Sequence, residues 1–362
     1  MMKISSFLFV KKLLCEKLAF LLQMKTFLFY TVNSEERINQ MILDDLKKKV
    51  QGKGVRIVFT EGWDPRIQEA AMHISQDEIA IPVLLGNKAQ IEEIRAEKGF
   101  DLSKCEIMDP EEYEFFDKLV DRMVEIRAGK LAPEKARELL KQTNYFGTML
   151  LETGQVDGLL GGATYSTADT VRPGLQLIPK QVGQKIVSSC FLMIKEDQQY
   201  IFGDCGININ PNASQLVDIT LQTVQTARRF GQEPVVALLS YSSNGSAAGE
   251  DVTKMQEALA RLKEMPLDFP VDGEMQFDCA IVPEVAALKF PESPVAGKAN
   301  TFIFPNISAG NIGYKIAARL GGYIAMGPIL QGLYAPINDL SRGCTWQEVY
   351  NMAIITANQK YL

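Results

Sequence analysis

The sequence predicts an α/β protein built on a largely parallel sheet. Two observations carry that prediction. Short apolar runs that read as buried strands alternate with amphipathic helical runs, and small polar loops directly follow several of the strands. The 362 residues, 46% apolar and 23% charged, suffice for a sizeable core and about two domains.

From Ile38 the pattern is regular. Residues 38–50 have helical spacing, and 55–60 (VRIVFT) read as a buried strand. Asp64 and Pro65 then open a helix, Asp64 as N-cap and Pro65 at the first helical position, and 66–75 continue it. Residues 79–85 form the next strand, 110–129 and 133–151 are helical, and 156–160 are a strand. Further strands are expected at 235–240, 299–304 and 323–326, separated by helices at 212–230, 249–263 and 308–320. Thr345 and Glu348 fit a capping box that opens the final helix. No repeat, low-complexity tract or Pro/Ser-rich linker marks a boundary.

Residues 1–30 of an N-terminal segment, 1–37, are basic and apolar, but Lys11, Lys12, Glu16, Lys17 and Lys25 interrupt the apolar runs. No stretch reaches the ~20 residues of a membrane span, nor the run of about 7–15 and small-residue cleavage site of a signal peptide. The segment reads as an N-terminal extension, either an upstream start ahead of Met24 or Met41 or an added amphipathic helix.

A net charge of −6 argues against nucleic acid or an anionic membrane as the main partner. The single histidine, His73, excludes a multi-histidine metal site and argues against a Ser–His–Asp triad. It lies beside Ala70, Ala71 and Ile74 and reads as structural. Cys15, Cys105, Cys190, Cys205, Cys279 and Cys344 show no CxxC spacing, so no zinc site or disulfide framework is expected. Scattered cysteines fit a reducing compartment, and cytoplasmic residence is expected.

Four loops follow strands or open helices, where α/β sheets build their ligand crevices. The first, 161–167 (GGATYST), joins glycines and hydroxyls to a helix N-terminus and makes Gly162, Ser166 and Thr167 candidate phosphate contacts. An ordinary glycine-rich turn with Ser/Thr capping accounts for the pattern slightly better. Ser242 in the second loop (240–246) and Asn311 in the third (305–311) are further candidates. No Walker A or GxGxxG pattern is present. The fourth loop, 338–348, gathers hydroxyl, guanidinium and carboxylate in Ser341, Arg342 and Glu348, although the capping box alone accounts for Glu348 as well.

The blocks 161–178 (GGATYSTADTVRPGLQLI), 239–247 (LSYSSNGSA), 271–317 and 336–344 (PINDLSRGC) closely resemble the phosphate acetyltransferases, or phosphotransacetylases, of the phosphate acetyl/butyryltransferase family. The resemblance covers roughly 38–362. It implies the reaction acetyl-CoA + phosphate ⇌ acetyl phosphate + CoA, with coenzyme A as substrate and without metal or covalent cofactor. It also implies two α/β domains similar to those of isocitrate and isopropylmalate dehydrogenases, with the cleft between them. Domain I would comprise 38–181 and 329–362, and domain II, the dimerisation domain of a homodimer, 182–328. By the same resemblance Ser341 and Arg342 are catalytic, Glu348 stands where the family usually has an aspartate base, and Arg66, Arg127 and Arg172 serve the coenzyme's phosphates.

About 3% of a free thiol of pKa near 8.5 is thiolate at pH 7, so a positioned base is useful. Glu348 would take the CoA proton, the thiolate would attack the acetyl phosphate carbonyl in a ternary complex, and Ser341 and Arg342 would stabilise the oxyanion. Two departures stand out. Glutamate is one methylene longer than aspartate, and Asn244 stands where many members carry lysine. The competing readings are a phosphate butyryltransferase, a metal- and NAD-dependent hydroxy-acid dehydrogenase of similar fold, and a non-catalytic domain like that of malic enzymes.

Overall fold

A computed structural model describes residues 43–361. The expected N-terminal extension and the start of the 38–50 helix lie outside the described residues, and 43–50 are helical. Along the chain follow β1 (Arg56–Phe59), α1 (Pro65–Gln76), β2 (Ile81–Leu85), α2 (Lys88–Lys98), β3 (Glu106–Met108), α3 (Phe116–Ile126), α4 (Pro133–Leu140), α5 (Thr143–Glu152), β4 (Gly158–Gly161) and α6 (Thr167–Leu177). Next come the hairpin β5 (Ser188–Lys195) and β6 (Gln198–Gly203), α7 (Ala213–Arg229), β7 (Val236–Leu239), α8 (Glu250–Lys263), β8 (Val271–Met275), α9 (Phe277–Ile281), α10 (Pro283–Lys289) and β9 (Thr301–Ile303). The chain closes with α11 (Ile307–Arg319), β10 (Ile324–Gln331), β11 (Ile337–Asp339) and α12 (Trp346–Gln359).

The strands form one sheet in the order β3-β2-β1-β4-β11-β10-β5-β6-β9-β7-β8. Both ends of it are parallel, whereas β11-β10-β5-β6 in the middle are antiparallel. Each end is buried on both faces. Ile57 and Phe59 of β1 join one apolar cluster and Val58 another. Val236 and Leu238 of β7 likewise part from Ala237 and Leu239. Side chains alternate across a strand, so a strand covered on both sides must be apolar throughout, which is why these strands are legible as short apolar runs.

The predicted caps are present. The Asp64 carboxylate accepts from the Arg66 N–H at 2.9 Å, and Thr345 and Glu348 form a reciprocal capping box. Helix α12 packs against α1, where Trp346 stacks on half-buried His73 at 4.5 Å. Among the described residues, Cys105, Cys190, Cys205, Cys279 and Cys344 are free thiols. No helix among them is long and apolar enough to cross a membrane.

Several boundaries differ from expectation. The 110–129 run opens with a short 3-10 turn at Pro110–Glu112, and the 133–151 run breaks at Lys141-Gln142 into α4 and α5. Strand β10 runs on past Met326 through a bulge at Gly327-Pro328 and pairs with β5 on both sides of it. The hairpin β5–β6, strands β3 and β8 and helix α2 are additional elements. A hairpin interrupts strand–helix alternation, and its charged Glu196-Asp197 turn separates two runs that the alternating pattern does not anticipate.

Candidate active site

Strands β1, β4 and β11 are parallel neighbours that end at one level, Phe59 opposite Leu160 and Asp339 opposite Gly161. Their carboxyl ends therefore deliver Glu61, the 161–167 loop and the 339–345 loop to the same place. A cleft of about 740 Å³ opens there, lined on this side by Thr167, Asp339, Ser341, Arg342 and Glu348. Its opposite wall is Cys205-Gly206 beyond β6, Gly327-Pro328 of β10, and the face of α11 that carries Asn311, Lys315 and Arg319. Tyr314 of α11 stacks on Phe191 of β5, ring centroids 3.9 Å apart, and fixes that wall.

Ser341, Arg342 and Glu348 are all exposed in this cleft. Glu348 caps as well: its Oε2 accepts the Thr345 N–H at 2.8 Å and Thr345 Oγ1 accepts the Glu348 N–H. Its Oε1 carries no hydrogen bond among the described residues, so the cap occupies half of the carboxylate. Cys344, by contrast, is buried, and burial pushes its thiol up to about 11 despite the nearby Arg66 guanidinium. It is a packing residue that stays protonated.

Arg66 does not point its guanidinium into the cleft. Nε and Nη2 bind Asp64 at 2.9 and 2.7 Å, Nη2 also reaches the Ala163 carbonyl, and Nη1 reaches the carbonyls of Arg342 and Cys344. All five donors are engaged, and the Asp64 bond pushes its pKa up. Through these bonds Arg66 ties the 161–167 and 341–345 loops to α1. Arg127 and Arg172 lie together around Tyr145 and Gln176, away from the cleft lining. Arg127 donates to the Gln176 carbonyl at 3.3 Å, and Arg172 pairs with Asp169 at 3.0 Å on exposed helix surface.

The glycine-rich loop holds an anion of its own. Glu61, fully buried, accepts from the N–H groups of Gly162, Thr164 and Tyr165 at 2.9–3.3 Å and from the Thr60 hydroxyl at 2.7 Å. Gly162 adopts φ +102°, and a Cβ there would sit 2.2 Å from Asp339 Oδ1, so only glycine fits. The expected phosphate contact through Gly162 is thus replaced by an internal carboxylate. Ser166 caps α6 and bonds Asp169 in both directions. Thr167, the next residue, is exposed and faces the cleft.

Ser242 is also removed from the cleft. It is buried, donates to Glu274 Oε1 at 2.8 Å and accepts from the Ala247 N–H. Glu274 further accepts from the Gly245 N–H and the Gln256 amide, so the 240–246 loop likewise wraps an internal glutamate. Asn244, exposed in the left-handed region at φ 50°, forms the tip of that loop. Asn311 does line the cleft, where its amide donates to the Cys205 carbonyl at 3.2 Å.

Three cleft residues escape sequence reading. Lys315 and Arg319 follow Asn311 at i+4 and i+8, one face of α11, and that spacing is the signal that could have found them. Asp339 is 1% exposed, and among the described residues its Oδ1 has no hydrogen-bond partner. Burial is the main cause that pushes its pKa up to about 6, with the Glu61 charge adding and the Thr167 and Thr170 hydroxyls opposing.

Comparison with known proteins accords with this architecture. Residues 41–357 match the family model described as phosphate acetyl/butaryl transferase. A phosphate acetyltransferase of Staphylococcus epidermidis is 50% identical over 323 residues, 88% of this chain and 98% of the relative. Among solved structures, a phosphotransacetylase from Streptococcus pyogenes superposes with a TM-score of 0.85 at 45% identity, covering 89% of this chain and 98% of that one. The EutD phosphotransacetylase from Staphylococcus aureus does so with a TM-score of 0.81 at 47% identity, over the same shares. The chain belongs to the phosphate acetyl/butaryl transferase family.

Proposed function

We propose that the protein is a phosphate acetyltransferase that interconverts acetyl-CoA and phosphate with acetyl phosphate and CoA by direct acyl transfer in a ternary complex. The observation that carries this reading is one cleft that unites Ser341, Arg342 and Glu348 with the cations Lys315 and Arg319 on the facing wall. Two substrates must bind side by side, one bearing a phosphate, and the facing cations supply its charge complement. The carbonyl oxygen gains charge as the thiol attacks, and the Ser341 hydroxyl and Arg342 guanidinium are the donors for it. Glu348 takes the thiol proton on Oε1 while Oε2 keeps the helix cap. Thr167, at the N-terminus of α6, and Asn311 assist in holding phosphate. Arg127 and Arg172 receive the distal phosphates of the coenzyme.

This reading needs no metal or covalent cofactor. It includes cytoplasmic residence, in keeping with the free thiols, and a homodimer. Ile312, Ile316 and Leu320 form an exposed apolar stripe along α11, beside the stripe that faces the cleft, and a second subunit would cover it. The direct test mixes purified protein with CoA and acetyl phosphate and follows thioester absorbance with and without EDTA. Thioester should form at the same rate in both, and no thioester would overturn the reading. Comparing acetyl, propionyl and butyryl phosphates sets the acyl preference.

A further inference from the structure

The loop that carries Ser341 and Arg342 is held from outside at few points. Its upstream end is fixed where the Leu340 N–H donates to the Gly161 carbonyl, and its downstream end where Thr345 and Glu348 form their capping box. Between those points Ser341, Arg342 and Gly343 are exposed, and apolar packing restrains only the buried Cys344. Among the described residues, every hydrogen bond that reaches 341–344 from elsewhere in the chain comes from Arg66. Its Nη1 donates to the Arg342 carbonyl at 2.8 Å and to the Cys344 carbonyl at 3.1 Å, one on each side of Gly343. Within the turn so clamped, the Gly343 N–H donates to Ser341 Oγ at 3.3 Å and the Cys344 N–H to the Ser341 carbonyl at 2.9 Å. The Ser341 hydroxyl thereby accepts from its own loop and keeps its hydrogen to donate.

Arg66 is in turn oriented by its own helix. Asp64, the N-cap of α1, accepts the Arg66 N–H and Nε on Oδ1 at 2.9 Å each, and Nη2 on Oδ2 at 2.7 Å. That side-on pair fixes the plane of the guanidinium, and Nη2 also reaches the Ala163 carbonyl at 2.9 Å. Helix α1 packs against α12, which opens directly after the loop. A planar fork with five donors matches this set of one carboxylate and three carbonyls. An ammonium group, with three donors on one atom, cannot span it.

We propose that Arg66 is a positioning residue for acyl transfer, which fixes the 341–344 turn through the carbonyls of Arg342 and Cys344 and so sets the Ser341 hydroxyl and the Arg342 guanidinium for the oxyanion. The inference rests on the acyl-transfer reading of the cleft. Oxyanion donors act by being held in place before charge develops, and a displacement of ~1 Å can cost about 100-fold in rate. A turn exposed over three of its four residues depends on its outside bonds for that precision. The competing role for Arg66 is direct contact with a coenzyme phosphate. That contact would require Nη1 or Nη2 to exchange a loop carbonyl for the ligand, releasing the turn just as substrate arrives.

The test measures kcat, both KM values and melting temperature for the wild type, R66K and D64N, together with hydrogen exchange of the 341–345 amides. R66K keeps the positive charge but loses the fork, so kcat should fall about 100-fold while the 341–345 amides exchange faster. KM for CoA and for acetyl phosphate should stay within about twofold of the wild type, the mark of an interaction felt in the transition state. D64N keeps a competent N-cap and removes the charge that orients the fork, so it should show the same pattern at about 10-fold. The proposal is overturned if R66K raises KM for CoA about 10-fold or more with kcat and exchange unchanged, since Arg66 then binds the coenzyme. It is equally overturned if R66K only melts lower and its folded fraction keeps wild-type kcat. If R66K does not fold, D64N decides, and wild-type kcat and exchange in D64N overturn the proposal. A wild type that forms no thioester refutes the acyl-transfer reading itself, and exchange in R66K still reports whether Arg66 holds the turn.

Discussion

The loops after β4 and β7 are chemically alike and mechanistically different. Both are short, rich in glycine and hydroxyl residues, and both fold around a buried glutamate, Glu61 in 161–165 and Glu274 in 242–245. A loop that already holds its own carboxylate offers no empty cradle to a substrate phosphate. The difference lies behind the loops. The first borders β11, whose end brings Asp339 and Ser341 to the cleft, whereas the second borders β8 and meets the Gln256 side chain. An anion-cradle signature thus reports how the loop folds, and the neighbouring strand decides whether it takes part in chemistry.

The sharpest way to expose that difference is to remove one serine from each region. In the proposed acyl transfer S341A removes an exposed donor to the developing oxyanion, and kcat should fall about 100- to 1000-fold, roughly 3–4 kcal/mol in the barrier, with KM little changed. S242A removes a buried donor to Glu274 and should cost about 1–3 kcal/mol of stability with kcat unchanged. Steady-state kinetics and denaturant melts read the two outcomes. A kinetic loss in S242A equal to that in S341A would erase the distinction between the regions.

The two regions should also answer pH with opposite signs. Asp339 is raised from 3.8 to about 6 in the folded protein, so the folded state holds the proton more tightly, and stability falls as pH rises through that interval. At pH 7.5 the buried charge therefore destabilises the fold, by up to about 3 kcal/mol at 1.36 kcal/mol per pKa unit. D339N should accordingly melt higher than the wild type above pH 6, with the gain vanishing toward about pH 4. Glu274 is held below its ordinary value by bonds from Gly245, Ser242 and Gln256, which outweigh burial. Its contribution is present above the unfolded pKa of 4.5 and is lost as pH falls, so E274Q should melt lower near neutrality. Scanning calorimetry against pH separates the pair, and a D339N that melts lower at pH 7.5 would refute the buried-charge account.

Glycine substitution is a milder probe of the same contrast. A Cβ at Gly162 would meet Asp339 Oδ1 at 2.2 Å and both the N and O of Leu340 at 2.8 Å, whereas at Gly245 it meets nothing within 4 Å. Both glycines have positive φ, so alanine is strained at each. G245A should lose about 1 kcal/mol and G162A about 2–3 kcal/mol, the excess being the overpacking term.

These contrasts also show what a sequence discloses. Helix caps at Asp64 and Thr345 and the doubly buried strands β1, β4 and β7 are local or periodic, so they are legible in the chain. The occupant of the 161–165 loop comes from Glu61, about a hundred positions away, and Arg66 is engaged by carbonyls nearly three hundred positions off. Neither pairing leaves a local trace, and each engages inside the protein a group that the sequence offers as a ligand contact. The β5–β6 hairpin and the antiparallel middle of the sheet escape for a related reason, because alternation records crossovers and a hairpin makes none.

Glu348 tests the smallest difference, since one side chain serves as cap and base. Glutamine satisfies a capping box nearly as well as glutamate. E348Q should therefore keep its N-terminal bond at Thr345 and lose no more than about 0.5 kcal/mol of stability. Its kcat should nevertheless fall by about 10-fold or more if the free Oε1 accepts a proton. E348D draws the carboxylate back by one methylene, which weakens the cap while leaving a base in the cleft. Rates that fall in E348Q and persist in E348D make the cleft-facing oxygen the functional half of the residue. Rates that instead track melting temperature across both variants reduce Glu348 to a cap.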